Sequence, residues 1–142
     1  MGGPCLLGRL KKTGPQATDN FQIAPFIFDG LEYQSCEQAY QACKYNTGSE
    51  EHELIRGLLP YRNEKDCAFG MRCWRIGQSG SITSFRSNWD TVKVGMMYEI
   101  NLAKYRQHPE LQQALLNTGT AEIRGGPSTS WTIAGVSHSW ST

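Results

Sequence analysis

An Asp29-Gly30 pair sits between the short apolar runs Phe26-Ile27-Phe28 and Leu31-Glu32-Tyr33, and the second run leads straight into Ser35-Cys36-Glu37-Gln38. The first feature predicts a hairpin, because a primed turn needs positive φ and glycine takes it readily. The second is a capping box, in which a Ser and a Gln three residues on satisfy orphan N–H groups where a helix begins. A strand pair that turns at once into a helix requires mixed α and β structure.

The remaining elements follow from periodicity and punctuation. The helix opened by Ser35 is predicted to run to Lys44 or Tyr45 and to stop near Gly48. A second, capped by Ser49 or Thr47, has Glu50 and Glu51 at its positive end and Leu54, Ile55 and Leu58 on its apolar side; Leu59-Pro60 ends it. From Tyr61 to Asn88 the chain is rich in Arg, Gly and Ser and reads as a long irregular, functional loop anchored by Trp74 and Phe85. The longest helix is predicted from Trp89 to Gln107, with Trp89, Val92, Met96, Ile100 and Ala103 inward, the stripe widened by Val94, Tyr98, Leu102 and Tyr105, and close packing at Gly95. Pro109 opens a final helix with Leu111, Ala114 and Leu115 inward and Gly119 past its end, and Ala121-Glu122-Ile123 reads as a short strand. Residues 1–18 carry no periodicity and are expected to form a loose N-terminal arm, leaving 19–142 as one domain of the 142-residue chain.

Composition narrows the function classes. A net charge of +1 supplies no global field toward nucleic acid or a membrane surface, so any such substrate must be gripped locally. No apolar run approaches a spanning helix, and the first residues are too poor in apolar side chains for a signal peptide. The 5 cysteines are odd in number and form no CxxC pair, which points to a reducing, cytoplasmic setting. Their spacings with His52, His108 and His138 match no zinc pattern, so neither metal nor cofactor is expected. P-loop and dinucleotide-binding glycine motifs are absent from the sequence.

Two groups of residues have the chemistry of a site. Glu37, Tyr40, Gln41 and Lys44 fall at i, i+3, i+4 and i+7 on the first helix, which puts a carboxylate, a phenol, an amide and an ammonium on one strip. Such a carboxylate can orient water or stabilise a cationic sugar, and the ammonium can hold phosphate or depress the carboxylate pKa. The same spacing also suits an ordinary solvated helix face. Arg72, Arg86 and Trp89 form the second group: two guanidinium forks able to clamp phosphate and an indole able to stack on a heterocycle, or else surface arginines and a core Trp.

The order of these pieces resembles NADAR domains, the YbiA-like family. The matching residues are Asn20-Phe21, the hairpin through Tyr33, Ser35-x-Glu37-Gln38-x-x-Gln41-x-x-Lys44, Gly70-Met71-Arg72, and Arg86-Ser87-Asn88-Trp89-Asp90-Thr91-Val92-Lys93 with the Met-bearing helix after it. Leu102 to Tyr105, His108 to Leu111 and Leu115 to Gly119 continue the likeness, which spans residues 20–123. The resemblance implies an α+β fold, a compact, helix-rich single domain with a short hairpin and small β elements. It implies an N-glycosidase that hydrolyses the base–ribose bond of ribosylated nitrogen heterocycles, either phosphorylated ribosylaminopyrimidines of riboflavin biosynthesis or ADP-ribosylated guanine in nucleic acid. Glu37 and Lys44 would be the catalytic pair; Asn20, Phe21, Tyr33, Gln38, Tyr40, Gln41, Arg72, Arg86, Trp89 and Trp131 would bind substrate.

The C-terminal stretch departs from that pattern. Family members carry an acidic residue after the last strand and an Asp shortly before a Trp-Gly pair. Here Ile123 to Thr132 keeps Trp131, has Ser128 or a neighbour in place of the Asp and Thr132 in place of the Gly, and contains no acid. The alternative is therefore a catalytically weak module that binds ADP-ribose-like ligands or serves in interactions.

Overall fold

The hairpin's local chemistry is realised directly. In a computed structural model, which describes residues 3–9 and 12–125 together with the backbone of 130–133 and 136–139, β3 (Phe26–Phe28) and β4 (Leu31–Tyr33) pair antiparallel, Phe26 opposite Tyr33 and Phe28 opposite Leu31. Asp29 and Gly30 both take positive φ, 51° and 76°, as a primed turn requires. Six side-chain positions of this ribbon alternate between core and surface, so Phe26 and Tyr33 are buried while Ile27 and Glu32 face out. The exposed edge at Ile27 is closed by Gln107, whose amide accepts from Ile27 N and donates to Ile27 O, both at 2.7 Å, in imitation of a third strand.

Ser35 caps α1 (Cys36–Cys43) by accepting from Gln38 N at 3.1 Å. Gln38 reaches back past the cap to accept from Gln34 N, 2.6 Å, and its Nε2 donates to the carbonyls of Ile55, Arg56 and Leu58 at the end of α2 (Glu50–Arg56). One side chain thus starts α1 and terminates α2. Ser49 caps α2; Ile55 and His52 point inward, whereas Leu54 and Leu59, expected respectively on its apolar side and at its end, are exposed.

The span read as an irregular loop is largely a helix, α3 (Asp66–Ser79). Its glycines mislead a local reading because each is unfavourable in an isolated helix by about 1 kcal/mol. Packing reverses that. A Cβ on Gly70 would stand 2.4 Å from the Phe21 ring, and one on Gly77 would stand 2.1 Å from Gln41 Oε1, so these positions let α3 lie against α1 and its approach. Trp74, expected as an anchor, lies on the outer face, and Phe85 is only partly covered, edge-on to Tyr45.

Helix α4 (Trp89–Gln107) has its expected limits but a different inward stripe: Trp89, Lys93, Met97, Ile100 and Lys104. Val92, Met96 and Ala103 flank the core, while Val94 and Tyr98 are exposed. The hydrophobic pattern missed the rotation because two lysines supply inward positions. Nor is Gly95 closely packed, since a Cβ there would meet nothing within 4 Å. Helix α5 (Pro109–Leu116) begins with Pro at its first turn and leaves Leu111, Ala114 and Leu115 half-buried; Gly119 follows at φ 61°.

The N-terminal segment is not a loose arm in this structure. Strand β1 (Leu6–Leu7) pairs with both β2 (Lys12–Thr13) and β5 (Ile123–Arg124) to give the order β2-β1-β5. A 3-10 turn at Gln16–Thr18 buries Ala17, whose carbonyl accepts from Lys104 Nζ and Tyr105 OH. The partners lie more than eighty positions away, beyond the reach of any local pattern. Strands β6 (Ser130–Ile133) and β7 (Val136–Ser139) form a separate antiparallel pair. The main core gathers the hairpin, α1 and α4 around Phe26, Tyr33, Ala39, Tyr45 and Ile100. The whole is the α+β, helix-rich arrangement with small β elements that the resemblance implied. No helix among the described residues is long and apolar enough to cross a membrane.

Candidate functional site

Helix α1 is buried on every face, so its polar strip is not a solvated surface. Glu37 is 8% exposed and Gln41 2%. The Gln41 amide donates to Glu37 Oε1 at 2.7 Å, across the i, i+4 step. Burial raises the Glu37 pKa above its ordinary value, opposed by the Gln41 hydrogen bond and by Lys44. Its place in the first turn, at the positive end of the helix dipole, also favours the carboxylate. Glu37 N in turn donates to the Asn20 carbonyl at 2.9 Å, which fixes the start of the strip.

One turn and two turns on stand Tyr40 and Lys44. The Tyr40 ring meets Trp89 of α4 with centroids 4.9 Å apart and planes inclined at 58°. Lys44 Nζ lies 5.9 Å from the Tyr40 centroid. Burial lowers the Lys44 pKa to about 8; Glu37 works against that shift and Lys93 adds to it. Lys93, which the sequence reading leaves unassigned, adjoins this group. It is 5% exposed, carries its ammonium 2.9 Å from Asp90 Oδ1, and lies close enough for its charge to act on Lys44. Its position one turn beyond Trp89, on the inward stripe, was the available signal.

The other expected site residues are placed differently. Arg86 reaches the C-terminal end of α1, its Nε donating to Cys43 O at 3.1 Å and its backbone N to Lys44 O at 2.7 Å. Arg72 is occupied: Nε and Nη2 form a fork on Glu64 at 2.9 and 2.8 Å, Nη2 also donates to Leu59 O, and the guanidinium stacks 3.9 Å over Tyr61. Its remaining capacity for phosphate is small. Gln38 is spent on the end of α2, as described. Phe21 and Tyr33 are buried in packing contacts, Phe21 against Gly70 and Tyr33 against Phe26 with its hydroxyl 3.4 Å from His52 Nε2. The Asn20 side chain accepts from Asn101 at 3.1 Å. The Trp131 side chain lies outside the described residues, as does Ser128. Glu37, Tyr40, Gln41, Lys44, Trp89 and Lys93 are thus the group that α1 and α4 assemble.

No cluster of three or more His, Cys, Asp or Glu able to hold a metal ion occurs among the described residues. The group's own chemistry is that of an oriented carboxylate beside an ammonium of reduced pKa and an aromatic pair.

A profile of the NADAR domain matches residues 11–126. N-glycosidase YbiA of Escherichia coli K12 is 31% identical over 104 residues, which cover 73% of this chain and 58% of that protein. N-glycosidase YbiA of Shigella flexneri serotype 5b matches with the same identity and coverage. The NMR structure of the E. coli protein YbiA superposes with a TM-score of 0.65 at 27% identity, covering 82% of this chain and 63% of that one. The chain therefore spans about three-fifths of the length of these relatives. With a match over most of its residues, and the hairpin, capped helix and Trp-bearing helix in family order, the chain belongs to the NADAR domain family.

Proposed function

We propose that the protein is an N-glycosidase that hydrolyses the bond between a sugar carbon and a heterocyclic nitrogen, with Glu37 as the catalytic carboxylate. The observation that carries this reading is the hydrogen bond from Gln41 to Glu37 Oε1, which orients a buried carboxylate. When the C–N bond breaks, its electron pair leaves with the nitrogen and positive charge builds on the sugar ring. A carboxylate held in low dielectric stabilises that charge far more than one in water. Water supplies the new hydroxyl to the sugar carbon, and Glu37, its pKa raised by burial, is suited to take the proton that water releases. That proton ends on the departing nitrogen, which restores the carboxylate.

Lys44 and Lys93 offer positive charge for a phosphate or pyrophosphate, and Arg86 adds a guanidinium at the same end of α1. Tyr40 and Trp89 supply aromatic surface for the base or ribose. The substrate class is a phosphorylated ribosylaminopyrimidine or an ADP-ribosylated guanine, and the names of the relatives support glycosidase chemistry at this coarser level.

The test is to incubate the protein with both substrate types and follow release of free base or free ribose phosphate. Glu37→Gln keeps the shape and loses the charge, so it is expected to retain ligand binding and to lose hydrolysis by about 100-fold or more. Binding without hydrolysis by the wild type would instead favour a binding module, the reading to which the acid-free stretch Ile123 to Thr132 points.

A further inference from the structure

The two ends of the Gln41 amide meet different surroundings. Nε2 faces Glu37, as above. Oε1 is buried and has no hydrogen-bond partner among the described residues. A Cβ built on Gly77 of α3 would stand 2.1 Å from that oxygen and 2.8 Å from the amide carbon. Position 77 therefore admits a hydrogen where any other residue has a side chain. That Cα–H points at Oε1, a weak donor for an otherwise unpaired acceptor. Turning the amide over would set its oxygen against the Glu37 carboxylate, acceptor against acceptor, so the orientation is fixed by chemistry.

We propose that Gln41 is a positioning residue that holds Glu37 rather than a substrate contact, and that Gly77 is the seat that keeps it there. The catalytic part of this inference rests on the glycosidase reading; the coupling of Gly77, Gln41 and Glu37 does not. The other titratable groups facing Glu37 among the described residues are Cys36 and Tyr40 on α1, Lys44 at its C-terminal cap, Asp19 from the segment before it and Cys73 on α3. Among the described residues the side-chain hydrogen bond that restrains the Glu37 rotamer is the one from the Gln41 amide. Helix α3 thereby shapes the site through the absence of a side chain.

The test has a readout independent of turnover. The side-chain carboxyl carbon of Glu37 is titrated by NMR in the wild type, Gly77→Ala, Gln41→Met, and the double variant. Gln41→Met removes the donor without a large change of volume and should raise the Glu37 pKa, since the hydrogen bond favours the charged form. Gly77→Ala should raise it likewise by displacing the amide, and should add nothing in the Gln41→Met background, because its effect passes through Gln41. If Gly77→Ala does not fold, Gln41→Met still decides the Gln41 link. In turnover, both single variants should lower kcat about tenfold at little change in KM and move the acidic limb of the profile to higher pH. An unchanged Glu37 titration in Gln41→Met or in folded Gly77→Ala overturns the proposal, as does a raised KM at constant kcat in Gln41→Met. An inactive wild type that shows the expected titration shifts overturns the glycosidase reading and leaves the coupling standing.

Discussion

Lys104 and Lys44 are both drawn out of solvent, and their surroundings differ. Lys104 is fully buried with its ammonium 2.9 Å from Ala17 O and 3.3 Å from Asp19 O, so it closes the 3-10 turn of the N-terminal segment onto α4. The Lys44 ammonium makes no hydrogen bond or ion pair among the described residues; it approaches the Tyr40 ring and shares its neighbourhood with Glu37 and Lys93. The same contrast separates Gln38, whose amide is consumed by backbone groups at both ends, from Gln41, which has one buried oxygen to spare. It separates Arg72, forked onto Glu64, from the Lys44 ammonium as well. Burial of a polar group is thus a poor guide to a site. What distinguishes one is capacity left unspent.

That contrast can be broken by experiment. The largest effect should come from Lys44→Met: turnover or ligand affinity falls about 10- to 100-fold while stability stays within about 1 kcal/mol of wild type, because a desolvated cation of lowered pKa is removed. Paired assays and denaturant melts check both halves; a strong loss of stability would put Lys44 in the same class as Lys104. Lys104→Met should do the reverse. It strips charge-assisted hydrogen bonds from buried carbonyls and should lower stability by about 1–3 kcal/mol. In the folded fraction, turnover should be unchanged.

The pH profile sharpens the comparison further. A Glu37 that must be ionised and a Lys44 that must be charged give a bell, with its acidic limb above the ordinary carboxylate range and its alkaline limb near pH 8. Activity that rises through pH 8 would mean that neutral Lys44 is the working form. The linkage to stability has the opposite sense. Lys44 titrates near 8 when folded and near 10.5 when free, so the unfolded chain binds more protons between those values and this residue's contribution to stability grows as pH rises across that window. The alkaline limb should vanish from the stability-neutral Lys44→Met variant.

The smallest effect tests the outer face of α4. Gly95 is helical and exposed, with open space where a Cβ would go, so Gly95→Ala should stabilise the fold by about 0.5–1 kcal/mol and leave turnover alone. A loss of stability would show that this face is covered by something in solution.

Wherever a local rule had no competitor, the sequence sufficed. Asp29-Gly30 fixed the turn, Ser35 and Ser49 fixed two helix starts, and Pro109 fixed a third, because backbone φ preference and capping act over a few residues. The i, i+3, i+4, i+7 strip from Glu37 to Lys44 was legible for the same reason, since helical geometry alone aligns it. Tertiary structure decided the rest. Whether that strip met water or the interior depended on α3, which the glycines at 70 and 77 concealed locally and made possible by packing. The rotation of α4 depended on Lys93 and Lys104 finding partners, and the order of the first residues depended on β5 and α4 from the far end of the chain. Long-range contacts set these outcomes because a buried polar group or a glycine has no fixed sign of its own; the neighbour that satisfies it or fills its space supplies one.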